Sequence, residues 1–283
     1  MKRITQSMLG NADKCLLSLQ YNLDPPPWVE RTGGAERAVG TGYHAGLEML
    51  YGNREQCYPD PTLSQMVNTA VEVFDISTET DLYDDTPITV FKWSEKIPDR
   101  ETAHTVITSM LTSYMEGGHA WPADWTVLAV EANHTVTIDG HDYKLGADLV
   151  LQDPNGWIVL VDHKTAGKAW DQHKHLPRKN NQGSLYTELA KHVWPEAPGH
   201  RFVFDVMCLP NKSGECKFER RICDPQPEHG KVILKKATDL VFLYETVHVK
   251  AGMDLPANPA STLCNPKWCD FFTGCPHGAA LDN

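Results

Sequence analysis

The chain has 283 residues, 41% hydrophobic and 22% charged, with a formal net charge of −11. That length can bury one large core or two small ones, and the composition excludes a disordered or fibrous chain. The acidic balance argues against a passive nucleic-acid coat. No run of about 18 apolar residues marks a membrane span, and Met1-Lys2-Arg3-Ile4-Thr5-Gln6 lacks the apolar core of a secretory signal, so a cytoplasmic protein without membrane contact is expected.

Thr5 or Ser7 can cap a first short helix running through Cys15, ended by Asp24-Pro25-Pro26-Pro27. Residues 36–51, 62–77 and 100–116 read as helices. Between them, residues 55–101 hold eleven Asp/Glu against three Lys/Arg, a solvated acidic stretch. Residues 53–120 are therefore expected to form a helical insertion. From Trp125 the pattern changes: residues 126–138 are strand-like, and residues 143–152 and 157–163 form a hairpin around Asp153-Pro154-Asn155-Gly156. A helix over 181–193, a second hairpin over 201–209 and 216–223, and a long helix over 229–250 follow. This order predicts an α/β fold, a central mixed sheet flanked by helices. One domain over 1–283 is expected, with its sheet core at 125–223 and a Cys-containing, Pro-rich tail at 252–283.

The first hairpin carries the chemistry. Its strands read Lys144-Leu145-Gly146-Ala147-Asp148-Leu149-Val150-Leu151 and Ile158-Val159-Leu160-Val161-Asp162-His163-Lys164-Thr165. Side chains alternate along a strand, so Asp162 and Lys164 share a face. If the turn pairs Asp153 with Trp157, Asp148 lies opposite Asp162; a one-residue slip would put it on the other face. Two carboxylates and an ammonium on an apolar hairpin are costly without compensation. A divalent cation is the natural partner of the carboxylates. The lysine can act on a water or on a phosphate oxygen.

Eight cysteines in a cytosolic chain do not indicate a disulfide framework. Cys208, Cys216 and Cys223 fall in or beside strands. Cys264, Cys269 and Cys275 cluster in the tail with spacings C-x4-C-x5-C, one thiolate short of a tetrahedral zinc site or a four-iron cluster.

Gly146-x-Asp148 followed by Asp162-His163-Lys164-Thr165 resembles the core of the RecB-like branch of PD-(D/E)xK nucleases. The resemblance runs from Thr5 to Pro276, the acidic insertion excepted. It implies a restriction-endonuclease-like core and a role for His44, in Thr41-Gly42-Tyr43-His44-Ala45-Gly46, as a further metal ligand. It implies that the backbone carbonyl of His163 also binds metal, and that Gln182 and Tyr186, in Gln182-Gly183-Ser184-Leu185-Tyr186, face the same site. Glu131 matches a supporting glutamate on the preceding strand. Iron–sulfur members of the group, of the AddB type and among CRISPR-adaptation exonucleases, place one cysteine near the N-terminus and three near the C-terminus. Cys15 would thus complete a [4Fe-4S] site with Cys264, Cys269 and Cys275, a clasp joining the termini. The gap of four between Cys264 and Cys269 departs from the usual two, and structural zinc remains the alternative.

The expected function is Mn2+- or Mg2+-dependent exonucleolytic hydrolysis of DNA, on single strands or ends. Phage recombination, repair and CRISPR adaptation, with their proteins as partners, are the settings the resemblance implies. Thr165, Lys168 and the basic stretch through Lys174, Arg178 and Lys179 are candidate DNA contacts. The rivals are a structure-specific endonuclease of the same fold and a non-catalytic adaptor that binds DNA ends. An intact His, Asp, Asp-x-Lys and Gln set argues against the adaptor. A zinc-stabilised interaction module, its carboxylates mere surface charges, is a third reading.

Overall fold

The computed structural model describes residues 4–28, 32–81, 86–88, 90–168, 180–223, 227–261, 264–265, 269, 271–272 and 274–278. Lys174, Arg178 and Lys179 lie outside them. The elements are α1 (Gln6–Lys14), α2 (Leu16–Leu23), β1 (Thr32–Gly34), α3 (Ala35–Glu55), α4 (Leu63–Ser77), β2 (Thr80–Asp81), β3 (Thr86–Pro87), β4 (Val90–Lys92) and α5 (Arg100–Glu116). Then come β5 (Thr126–Ile138), β6 (His141–Gln152), β7 (Ile158–Ala166), α6 (Asn181–Val193), β8 (His200–Cys208), β9 (Phe218–Cys223) and α7 (Pro227–Leu243), which continues as a π-helical segment, Tyr244–Lys250.

The helix starts follow local chemistry. Thr62 and Gln65 form a reciprocal capping box at α4. Asp99 caps α5 through the Thr102 amide, and Asn180 caps α6 through the Gly183 amide. The first predicted helix is two, because Cys15 takes extended backbone (φ −165°, ψ 128°) between α1 and α2. The acidic link holds short strands instead of plain loop: β2 pairs with β3, and β4 pairs in parallel with β1.

Two compact units emerge. One comprises Arg31–His134 and Gly146–Gln226; the other comprises Met1–Glu30, Thr135–Leu145 and Pro227–Asn283. The mixed sheet has the order β5-β6-β7-β8-β9, with β7 and β8 parallel and the β6–β7 and β8–β9 pairs antiparallel. Ile158 to Val161 of β7 are all buried, as a strand covered on both faces requires. Leu149, Val159, Val161 and Val203 join α3, α4 and α5 in one core with Tyr43, Phe74, Ile107 and Met110. The helices at 53–120 are therefore part of the core that covers one sheet face. Leu185 and Leu189 of α6 are buried with Leu160, Phe202 and Phe204.

Glycines on α3 set how closely that helix is packed. A Cβ on Gly42 would stand 2.6 Å from the carbonyl oxygen of Ala70 in α4, and one on Gly40 would stand 2.8 Å from Thr165 Oγ1 in β7. Gly52, on the same helix, has nothing within 4 Å. The two ends should respond oppositely to alanine. Gly52→Ala is expected to stabilise by about 0.5–1 kcal/mol, the helix-propensity gain alone. Gly42→Ala meets backbone that cannot rotate away, so overpacking of about 1–3 kcal/mol outweighs that gain. Thermal melts of both variants check this; a Gly42→Ala protein more stable than the parent would contradict the packing.

The second unit ties the first residues of the chain to the last helix and tail. Ile4 bridges to Tyr143, and the Tyr143 hydroxyl lies 2.6 Å from Thr238 Oγ1. Gln20 donates to Asp254 Oδ1 at 2.7 Å and accepts from the Leu255 amide at 2.7 Å. Lys236 pairs with Asp13.

Candidate active site

The β6–β7 register is the one the turn dictates. Leu149 pairs with Val161, Val150 with Leu160, Leu151 with Val159 and Gln152 with Ile158. The Asp153 amide donates to the Trp157 carbonyl at 3.0 Å. The same register carries Asp148 to the level of Asp162. Asp148 Oδ2 accepts the His163 amide at 2.6 Å, which fixes the carboxylate against the neighbouring strand.

Asp162 is the most buried member, its side chain 5% exposed. Its Oδ1 accepts from Gln182 Nε2 at 2.7 Å. Its Oδ2 has the Lys164 ammonium at 2.5 Å. Lys164 is 38% exposed, so it spans from the buried carboxylate to solvent. Gln182 and Tyr186 lie one turn apart on α6 and both reach the site. The Tyr186 hydroxyl, hydrogen-bonded to the Gly146 backbone and to Gln182, is pushed up to about 12, first by burial and then by the Asp162 charge.

His44 comes from α3, where Gly40, one turn earlier, lets the helix approach β7 closely. Its Nδ1 is 3.7 Å from Asp148 Oδ2, and the imidazole hydrogen-bonds the backbone carbonyl of His163. Burial lowers His44 to about 4, helped by the Lys164 charge and opposed by Asp162. It is thus a neutral lone-pair donor at neutral pH. Burial raises Asp148 to about 6, against the pull of Lys164 and the His163 amide. Burial also raises Asp162, with Lys164 opposing and Asp148 adding to the rise.

The other predicted residues are placed differently. The His163 ring turns to the opposite face, stacked on Tyr51 with centroids 6.2 Å apart and edge-on to Tyr114. Neither of its nitrogens has a hydrogen-bond partner among the described residues. Thr165 packs against α3 at Gly40, and Lys168 is exposed just beyond β7. Glu131 is exposed on β5, a strand at the sheet edge, with a left-handed φ of 49°.

A buried ion pair beside the site was missed from sequence. Asp205, the β8 neighbour of His163, is 1% exposed and accepts from Arg220 at 2.7 and 2.8 Å and from Trp121 Nε1 at 3.1 Å. The Arg220 guanidinium stacks 3.7 Å over the Trp121 ring. An aspartate inside the apolar run Phe202-Val203-Phe204-Asp205-Val206-Met207 was the signal, since a buried carboxylate needs a partner.

Among the described residues, no group of three or more His, Cys, Asp or Glu is already gathered as a metal set. The donor chemistry nevertheless fits a divalent cation. Two carboxylates have raised pKa values and one imidazole has a lowered one. Burial opposes the charge of both carboxylates and keeps the imidazole neutral, and a cation at their meeting point would stabilise the ionised carboxylates and take the imidazole lone pair.

In the unit of the chain ends, Cys15, Cys264, Cys269 and Cys275 all line one cavity with Leu17, Tyr21 and Phe271. Burial raises the Cys264 and Cys269 thiols, and the other cysteines of the set raise them further. The Asn258 amide donates to Cys15 Sγ at 3.3 Å.

A comparison with curated protein sequences gives no match. Two of the solved structures that align are of low similarity. The crystal structure of SSO0001 is 16% identical, with 92% of this chain and 94% of that one covered and a TM-score of 0.33. That of a "Putative exonuclease" from Eubacterium rectale is 11% identical, with 81% and 84% covered and a TM-score of 0.37. The sequence profile of the PD-(D/E)XK nuclease superfamily matches residues 3–276, a span that contains α3, the hairpin and α6 that assemble this site, and the chain belongs to that superfamily.

Proposed function

We propose that this protein is a metal-dependent deoxyribonuclease of the exonuclease type, acting on single-stranded DNA or DNA ends. The observation that carries this reading is the approach of His44 on α3 and Gln182 on α6 to Asp148, Asp162 and Lys164 on the β6–β7 hairpin. Nucleases of this superfamily generally use divalent metals such as Mg2+ or Mn2+. His44, Asp148, Asp162 and the His163 carbonyl would hold the ion, which when bound polarises the scissile phosphate and lowers the pKa of a water. An imidazole in the set favours Mn2+ over the harder Mg2+.

The protein's own groups divide the remaining work. Gln182 holds Asp162 Oδ1, leaving Oδ2 toward Lys164 and the ion site. Lys164, anchored at Asp162 and reaching solvent, orients the attacking water as an ammonium or, in its neutral amine form, takes the water's proton. Tyr186, tied to Gly146 and Gln182, keeps α6 against the hairpin. Glu131 has a supporting role, and Thr165 and Lys168 belong to DNA binding. Recombination, repair or CRISPR adaptation in the cytoplasm, with the proteins of those processes as partners, is the proposed setting.

The cysteine cavity is proposed to hold a [4Fe-4S] cluster as a structural clasp, with zinc as the alternative. Four thiols at one apolar cavity support a thiolate-bound metal; their mutual repulsion when ionised would be relieved by it.

The exonuclease reading is tested by comparing linear and covalently closed circular single-stranded DNA in Mn2+. Linear strands are expected to shorten to mononucleotides or short oligomers while circles survive. Rapid linearisation of circles would replace exonuclease by endonuclease.

A further inference from the structure

The end of β7 opens into a groove with more lysines than carboxylates on its walls. Beyond Lys164 the strand ends at Ala166, and Gly167 and Lys168 follow in a bend only four residues from Lys164, within reach of the same polynucleotide. There Lys96 Nζ donates to the Gly167 carbonyl at 2.9 Å, tying the loop before α5 to the end of the catalytic strand. The Leu209 amide donates to the Ala166 carbonyl at 2.8 Å, bringing in the loop between β8 and β9.

The groove between these segments has a volume of about 710 Å³, within the roughly 300–1,000 Å³ of known binding clefts. Its floor includes Ile97, Val106 and Leu209, and its walls carry Lys96, Lys168, Lys212 and Lys217 against Glu95 and Glu215. This is a local excess of positive charge on a chain of net charge −11. Lys217 is partly neutralised by Glu219 at 2.6 Å. Glu215 is engaged by Asn211 at 3.3 Å and Ser213 at 3.1 Å. The Asn211 side chain also accepts the Ser213 and Glu215 amides at 2.8 and 3.1 Å, so the loop that presents Lys212 is braced from within.

We propose that this groove is the track for the phosphodiester backbone of a single DNA strand passing the active site, with Lys168 and Lys212 as phosphate contacts. The inference rests on the nuclease reading and names where its substrate runs. Among the described residues the floor carries no aromatic side chain as a stacking platform, so the track reads charge and not sequence.

The test is binding of a fluorescent single-stranded oligonucleotide, with Ca2+ replacing Mg2+ to prevent turnover, over a range of salt. Each phosphate contact on a single strand contributes about 0.7 to the slope of log affinity against log salt. The doubly substituted Lys168→Glu, Lys212→Glu protein is expected to lose about 1.4 from that slope, and Lys212→Glu alone about half as much. Lys191→Glu, on α6, serves as the control and should keep the parent slope. An unchanged slope in the double variant overturns the track, as does a loss confined to duplex DNA. Absence of cleavage by the parent protein would instead sink the nuclease reading, while the binding slopes would still report on the groove.

Discussion

Lys164→Ala is expected to lower DNA cleavage by about 10²–10⁴-fold and leave the fold standing. The ammonium is 2.5 Å from Asp162 Oδ2 and 38% exposed, so its loss removes the group that reaches the attacking water but no part of the core. The ion pair is open to solvent on the lysine side, and screening limits its contribution to stability to about 1 kcal/mol. Asp162, already raised by burial, can respond by taking a proton. Single-turnover cleavage with a parallel thermal melt measures both effects. A variant with parental cleavage would remove Lys164 from the chemistry; one that fails to fold would make it structural.

Cys15→Ala is expected to do the reverse. It lies in the unit of the chain ends, at the break between α1 and α2, and shares its cavity with Cys264, Cys269 and Cys275. If a cluster joins them, its loss frees a loop of nearly the whole chain. By analogy with disulfides that closure amounts to about 5 kcal/mol. The contacts of Gln20 with Asp254 and Leu255 and of Lys236 with Asp13 remain in the variant and hold part of the clasp. A fall of about 10 °C in melting temperature is therefore expected, with loss of iron and of the brown colour in anaerobically purified protein. Cleavage should fall only as far as folding does. Stoichiometric zinc in the parent would replace the cluster by a zinc site. Full metal content in the variant would remove Cys15 from the ligand set.

The parts of this site legible in sequence are those set by local rules. The register of Asp148 with Asp162 follows from the turn at Asp153-Pro154-Asn155-Gly156, where the amides of Asn155 and Trp157 both donate to Asp153 Oδ1. The helical readings over 36–51 and 181–193 put His44 on α3 and Gln182 on α6. What was not legible depends on partners distant in sequence. Gly42 has meaning only against the Ala70 carbonyl, and β1 exists only because β4 lies beside it. Strands of two or three residues show no period to read. Nothing local marks the helix break at Cys15. Asp205 was readable as an anomaly in an apolar strand, but its partner Arg220 could be found only after β8 and β9 paired.

The central claim is that the β6–β7 hairpin, α3 and α6 form a divalent-metal phosphodiesterase. It is tested most directly by stripping the protein with EDTA and adding back Mn2+ or Mg2+ with end-labelled single-stranded DNA, for the parent and for Asp162→Asn. The expected result is no cleavage in the stripped protein, cleavage restored by Mn2+ at least as well as by Mg2+, and none restored in Asp162→Asn. Cleavage that persists in EDTA, or that Asp162→Asn carries out at the parental rate, would contradict it.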